Sequence, residues 1–399
     1  MSIVPGPSHF DAVFVGGGVI GLAGAWRSAQ GGLAVALVDP RPGHGATWAA
    51  AGMLAPVTEA HYGEEALVRL NVTAAGLWPA FAQELEAASG VPIGYLRHGT
   101  VVVAADGSDR LAIDEVLAFQ RSLGLGATRL SARECRALEP SLAPGLRGGV
   151  DVPGDHQVDN RQLVAALLVA CREAGVSLVA DRATAVSLAA GPAAAPSPSA
   201  APVATGVELE GGTALVAGSV VVTAGCHSDQ LGGLPPGTLP PVRPVKGMTL
   251  RLAAPAQVPR LQRTLRGLVH GESCYLVPRD DGSVVVGATV EEKGFDNTVQ
   301  VRGLYELLRD ARTVVPGLDE YELTETAVGL RPGSPDNAPS IGRTAVPGLL
   351  VATGHYRNGI LLAPLTADAL TGLLVGGEGT DIVAPFGPER FGSARSGAA

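Results

Sequence analysis

The stretch FVGGGVIGL, Phe14 to Leu22, sets Gly16, Gly18 and Gly21 in a G-x-G-x-x-G pattern. An apolar run precedes it and an amphipathic one follows. A strand that turns this tightly into a helix uses each glycine differently. Gly16 permits the turn, Gly18 lets backbone approach a pyrophosphate, and Gly21 lets the helix pack on the strand. Val19 and Ile20 then open the helix, whose N–H groups face the phosphates. The helix is predicted to end at Gly31-Gly32, and the next strand, LAVALVD, stops at Asp39 before Pro40. Strand, helix and strand make one βαβ unit. Asp39 lies 18 residues past Gly21. There a carboxylate can accept from ribose hydroxyls and disfavours a 2′-phosphate. Its competing role is that of a cap or turn aspartate. Together these features point to an ADP-containing cofactor.

The next segment separates FAD from NAD. An NAD dehydrogenase ordinarily continues with another regular βαβ unit. This chain instead enters PRPGHGATWAAAGMLAP, a loop of small residues containing Thr47, Ala50, Ala51 and Gly52. Small residues let backbone press against a flat ligand. A plain surface loop is the alternative, but it would have little use for Trp48, Met53 and Leu54.

The totals exclude several classes. With 399 residues the chain is long enough for two domains, and a net charge of −9 argues against binding nucleic acid through its phosphates. Cys135, Cys171, Cys226 and Cys274 lie tens of residues apart with no C-x-x-C, which favours reduced, mostly buried thiols. No two histidines show metal-ligand spacing, so no metal is expected. The apolar stretch Ala12 to Trp26 is too short and too interrupted by glycine for a membrane anchor. The expectation is a soluble cytoplasmic protein without a membrane partner.

Beyond the βαβ unit, QLVAALLVACREAG reads as an amphipathic helix, VSLVAD as a strand, and SVVVTAG as a buried strand. The low-complexity tract Gly191 to Pro202 reads as a hairpin tip or disordered insert, and the first nine residues as a flexible lead-in. From Val242 to Val290 alternating strands surround Asp-Asp-Gly turns, the pattern of an antiparallel sheet. The α/β texture returns with GLLVATG and a helix opening near Gly359. The fold class expected is therefore α/β, a nucleotide-binding domain into which an α+β domain is inserted.

A polar cluster, His355, Tyr356, Arg357 and Asn358, sits between that last strand and helix. It could be a surface turn. The helix beginning at Gly359 and Ile360 would instead aim its positive end at a bound group, with Gly354 and Gly359 holding backbone close.

The motifs VGGGVIGL, ATWAAAGML, PVKGMTL, CYLVPR, GSVVVGAT, GLRPGSPDNAPSIG and ATGHYRNGILLAP occur in one order from about residue 11 to about residue 375. In these the chain resembles the D-amino-acid oxidase superfamily of FAD enzymes, most closely the glycine oxidases of thiamine biosynthesis. The resemblance implies a Rossmann-like FAD domain of glutathione-reductase type, formed by residues 1–85, 148–235 and 326–399. An inserted substrate domain would take residues 86–147 and 236–325. It implies FAD bound non-covalently, with Gly16, Gly18, Val19, Ile20, Gly21, Asp39, Thr47, Ala50, Ala51, Gly52 and Met53 against it. Val186 would contact the adenine, and Gly225, Gly354, His355, Arg357, Asn358, Gly359 and Ile360 would complete the site. Tyr275 and Arg331 would hold a substrate carboxylate, and the Arg357 carbonyl would face the amine. The Asp39 carboxylate replaces the family's commoner glutamate, and Ser273 stands where relatives can carry a histidine.

The reaction implied is oxidative deamination of glycine, or of sarcosine or a small D-amino acid, by molecular oxygen. Its products would be imine or glyoxylate, ammonia and hydrogen peroxide, feeding the thiazole branch of thiamine synthesis. The family pattern suggests a homotetramer and a functional link to thiazole synthase. Competing readings are a D-amino-acid dehydrogenase or sarcosine-oxidase-like enzyme with another acceptor or substrate, and a cofactor-holding scaffold without turnover. For Arg331 the competing role is an ion pair with Asp336 or Glu325, and for Tyr275 a packed strand aromatic. His270 and His355 read more simply as structural residues than as bases.

Overall fold

The computed structural model describes residues 9–190, 202–377 and 379–391. The initial lead-in up to residue 8 and all but Pro202 of the Ala/Pro tract lie outside the described residues. The first sheet carries five parallel strands in the spatial order Leu349–Thr353, Ala214–Val222, Phe10–Val15, Val35–Val38 and Ser177–Val179. An antiparallel edge strand, Ser340–Arg343, adds to one side. Alternation along each strand divides the core between two faces. Phe14, Leu37, Val221 and Leu350 pack under helices Val19–Gln30, Glu65–Ser89, Asn160–Glu173 and Gly359–Leu374. Val13, Val15, Val38, Val220 and Val351 meet the hairpin Ala183–Ala190 with Pro202–Leu209 on the other face. Both faces are covered, which is why these strands are mostly apolar.

Gly21 explains the first helix's position. A Cβ there would lie 1.9 Å from the Gly16 carbonyl oxygen, so any other residue would lift the helix off its strand.

The second sheet runs Glu322–Gly333, Arg243–Ala253, Ser283–Gly287, Glu272–Pro278, Thr264–Val269, Thr100–Ala104, Gly149–Val152 and Thr128–Leu130. All pairs are antiparallel except Thr264–Val269 with Thr100–Ala104, which is parallel. The sheet is therefore mixed at that junction. Helix Val301–Val314 covers one face through Leu307, Ala311 and Val314. The expected boundary at 326 falls inside Glu322–Gly333 and that at 148 just before Gly149–Val152, and both strands belong to this sheet. All four cysteines are free and buried. Among the described residues no helix is long and apolar enough to cross a membrane.

Candidate active site

A cavity of about 700 Å³ lies where the two sheets meet. Its wall joins the Gly16–Gly18 turn and Asp39 to Tyr275, Arg331 and the His355–Ile360 segment. Two helices open onto it, Val19–Gln30 and Gly359–Leu374, and neither has a side-chain cap. Uncapped first turns present N–H groups and a positive dipole end to whatever lies in the cavity. The Val19 amide donates to Thr47 Oγ1 at 3.1 Å. The Asp39 carboxylate accepts from the Gly17 amide and the Arg41 amide, both at 2.7 Å, so it shapes the turn while lining the cavity.

The loop of small residues is tied down from behind. Asn160 Nδ2 donates to the Thr47 and Trp48 carbonyls at 2.8 and 3.0 Å, Thr249 Oγ1 to the Ala49 carbonyl at 2.9 Å, and Arg279 Nη2 to the Ala51 carbonyl at 2.6 Å. Trp48 is clamped outside the cavity by His44, stacked at 4.8 Å, and by the Arg161 guanidinium at 3.9 Å from its ring. A fixed, nearly featureless backbone wall between two bare helix N-termini fits a flat cofactor with an anionic tail.

Substrate-facing chemistry comes from the second sheet. On strand Glu272–Pro278, Cys274 and Leu276 point into the helix-covered core, so Tyr275 faces the cavity. Its cross-strand neighbours are Gly287 on one side and Arg266 on the other. A Cβ on Gly287 would fall 2.4 Å from the Tyr275 hydroxyl, so the phenol lies across that glycine. Burial raises the Tyr275 pKa above its ordinary value and the nearby Arg331 and Arg266 offset this only in part, so the hydroxyl keeps its proton.

Arg331 lies similarly across Gly247, whose added Cβ would sit 2.2–2.4 Å from the guanidinium. It donates to the Thr289 and Lys246 carbonyls at 3.1 and 3.4 Å. The competing ion pairs do not form: Glu325 pairs with Arg161, and Asp336 with Arg390. Among the described residues Arg331 has no carboxylate partner. Gly247→Ala is expected to leave thermal stability nearly unchanged, because only a flexible tip must move. The displaced anchor should raise KM roughly tenfold, corresponding to ~1.4 kcal/mol, and steady-state kinetics beside a melting curve checks both.

The His355–Asn358 cluster faces the cavity. Tyr356 holds a left-handed φ of +48°, uncommon for a tyrosine, with its amide bonded to the Pro332 carbonyl at 3.0 Å. His355 is buried, and its Nε2 lies 3.1 Å from Thr366 Oγ1. Burial drives its pKa down to about 3, so the imidazole is neutral. The unfolded chain binds a proton near pH 6.5 and the folded one does not. Stability contributed here is complete above about pH 6.5 and is lost as pH falls toward 3. His355→Gln should flatten the wild-type decline by on the order of 2 kcal/mol between about pH 6.5 and 5, read from denaturation midpoints.

Of the residues expected at the site, Gly21, Val186 and Gly354 do not line the cavity. Gly21 packs behind the turn, and Gly354, at φ +73°, faces Ser334 and Ala338. Val186 is buried in the core under the hairpin with its amide on the Gly232 carbonyl; Ala183 and Thr184 line the wall instead. His270 lies elsewhere, exposed and 3.1 Å from Asp106. The sequence reading passed over Glu59, an acid in the otherwise apolar run AAAGMLAPVTEA, and Arg266, a charge inside an apolar strand. Both isolated charges were visible signals.

A profile of the family described as FAD dependent oxidoreductase matches residues 11–373. The chain belongs to this family. It is 34% identical to the glycine oxidase of Geobacillus kaustophilus over 95% of this chain and 96% of that one. The crystal structure of that glycine oxidase superposes with a TM-score of 0.84, covering 96% of this chain and 99% of the other. Bifunctional protein ThiO/ThiG of Trichormus variabilis is 33% identical over 96% of this chain; the chain spans 55% of that relative's length. Hydrogen cyanide synthase subunit HcnC of Pseudomonas aeruginosa is 30% identical over 96% of both chains. The α/β fold and the use of FAD follow from family membership, and this chain is an FAD-dependent oxidoreductase.

Proposed function

We propose that this FAD-dependent amine oxidase acts on glycine or a comparably small amino acid. The observation that carries the reading is a guanidinium, Arg331, facing the cavity beside a protonated phenol, with no acid paired to it among the described residues. A planar fork of this kind pairs with one carboxylate. FAD held at this wall would supply a two-electron acceptor for the α-carbon hydride. The protein's part is orientation. Arg331 and Tyr275 fix the carboxylate, the Arg357 carbonyl takes up the amine, and the tethered Ala49–Ala51 backbone would hold the cofactor. The neutral His355 is bonded away toward Thr366, so proton abstraction by a side chain is not required of it.

Glycine, oxygen and water would yield glyoxylate, ammonia and hydrogen peroxide. In the Trichormus relative the matching segment shares its polypeptide with ThiG. That fusion supports passage of the imine to thiazole formation and a link to thiazole synthase. A panel of glycine, sarcosine and D-alanine, with peroxide release in air as readout, tests the reading. Peroxide with glycine at kcat/KM above the other two is expected. Turnover only with an artificial electron acceptor would transfer the chain to the dehydrogenases, and no turnover with any of the three would sink the substrate assignment.

A further inference from the structure

Glu59 stands on the cavity wall, and the fold goes to some length to hold it there. Its Oε1 lies 2.5 Å from Arg266 Nη1, and its Oε2 lies 3.4 Å from Arg357 Nε and 3.9 Å from His61 Nε2. The loop before it is pinned by the buried Asp155, whose carboxylate accepts from the Val57 amide at 3.0 Å, the Thr58 amide at 2.8 Å and Thr58 Oγ1 at 2.5 Å. Thr58 Oγ1 accepts in turn from Arg266 Nη1 at 3.2 Å. The side chain is about one-tenth exposed, and burial alone would raise its pKa. Arg266, His61 and Arg357 outweigh that and hold it well below the usual carboxylate range. A carboxylate so held is a poor proton acceptor, which removes the role of base for the amine.

What remains is its charge. Of three guanidinium groups here, Arg331 and Arg357 line this end of the cavity, and Arg266 pairs with Glu59 from outside the wall. Arg266 is the cross-strand neighbour of Tyr275, and Glu59, Tyr275, Arg331 and Arg357 line one cavity, which places the ion pair at the anchor's end of it. Two of the three pair with Glu59, and among the described residues Arg331 has no acidic partner. We propose that Glu59 is a charge filter: by occupying Arg266 and Arg357 it denies the cavity a second anion site. The cavity then takes amino acids with one carboxylate and turns away those with two. A second carboxylate on a ligand anchored at Arg331 would find a cation only by displacing Glu59 from Arg357, which brings two carboxylates to one guanidinium, and like charges so placed disfavour the wrong partner. This deepens the amino-acid-oxidase reading and rests on it for the identity of the substrate, though not for the filter itself.

Propionate and malonate, nearly equal in size and differing by one carboxylate, are suitable probes, with perturbation of the bound flavin's visible spectrum as readout. The wild-type holoenzyme should bind propionate at least about tenfold more tightly than malonate. Glu59→Gln should bring malonate to within about threefold of propionate or better, whereas Glu59→Asp should keep the wild-type preference. D-aspartate turnover relative to glycine should rise in Glu59→Gln by a similar factor. Equal wild-type affinities for the two probes, or a Glu59→Gln ratio no different from wild type, would overturn the filter. If Glu59→Gln does not retain FAD, the wild-type comparison still decides. If the wild type oxidises no amino acid, the two titrations still read the filter, and only the proposed reaction falls.

Discussion

Arg331→Ala should raise KM for the amino-acid substrate by about two orders of magnitude or more while the flavin spectrum stays as in the wild type. Each charge-assisted hydrogen bond between a guanidinium and a carboxylate is worth about 1.5–3 kcal/mol. Two such bonds convert to roughly 10²- to 10⁴-fold in kcat/KM. The side chain sits across Gly247 and has no acidic partner among the described residues, so its loss orphans no buried charge. Stability should therefore change little. Arg331→Lys should recover only part of the loss, because an ammonium offers a point charge where the fork offers two parallel donors. Steady-state kinetics with glycine, beside an absorbance spectrum, checks this. An unchanged KM would move the anchor elsewhere.

Arg279→Met is the second large effect, and it acts on folding rather than on substrate. Arg279 is 6% exposed and joins three segments: it donates to the Ala51 carbonyl at 2.6 Å and to Gln157, and pairs with Asp159 at 3.4 Å. Burial lowers its pKa to about 10, with Asp159 working in the opposite direction. Methionine fills similar space but leaves Asp159 and the Ala51 carbonyl without it. Breaking a buried pair by removing one partner costs about 3–5 kcal/mol. The thermal midpoint should fall by on the order of 5–10 °C, and FAD should be released before the chain unfolds, because the Ala51 carbonyl belongs to the cofactor wall. Flavin fluorescence followed during a melt separates the two events. Simultaneous release at the wild-type midpoint would show that the tether is dispensable.

What the sequence made legible follows from physics that is local. The Gly16–Gly21 spacing dictates strand, turn and helix without reference to anything distant, and all three formed as expected. Tyr275 is marked by its motif's resemblance, and alternation along its strand sets it on the cavity side while Cys274 beside it turns inward. The pairing of Arg266 with Tyr275, and of Tyr275 with Gly287, depends instead on the register of three separate strands. No short window fixes that register, so neither Glu59's partners nor the glycine floors under Tyr275 and Arg331 could be read ahead. Val186 shows the cost of position along a strand. Thr184, two residues earlier and about 7 Å away, is the one at the wall. The sheet that receives the strands next to 148 and 326 is illegible for a related reason. Apolar alternation in Gly149–Val152 and Glu322–Gly333 looks the same whichever sheet receives it.

The cavity wall is assembled from both sheets and from segments as far apart as Gly16 and Ile360. Neither domain alone carries more than a fragment of it. Occupancy by the prosthetic group is therefore coupled to docking of the two halves, and ligand binding stabilises the docked arrangement by mass action. In cells short of riboflavin the expected fate of this chain is a shorter lifetime, with proteolysis beginning where the halves part, rather than a steady pool of colourless but intact protein.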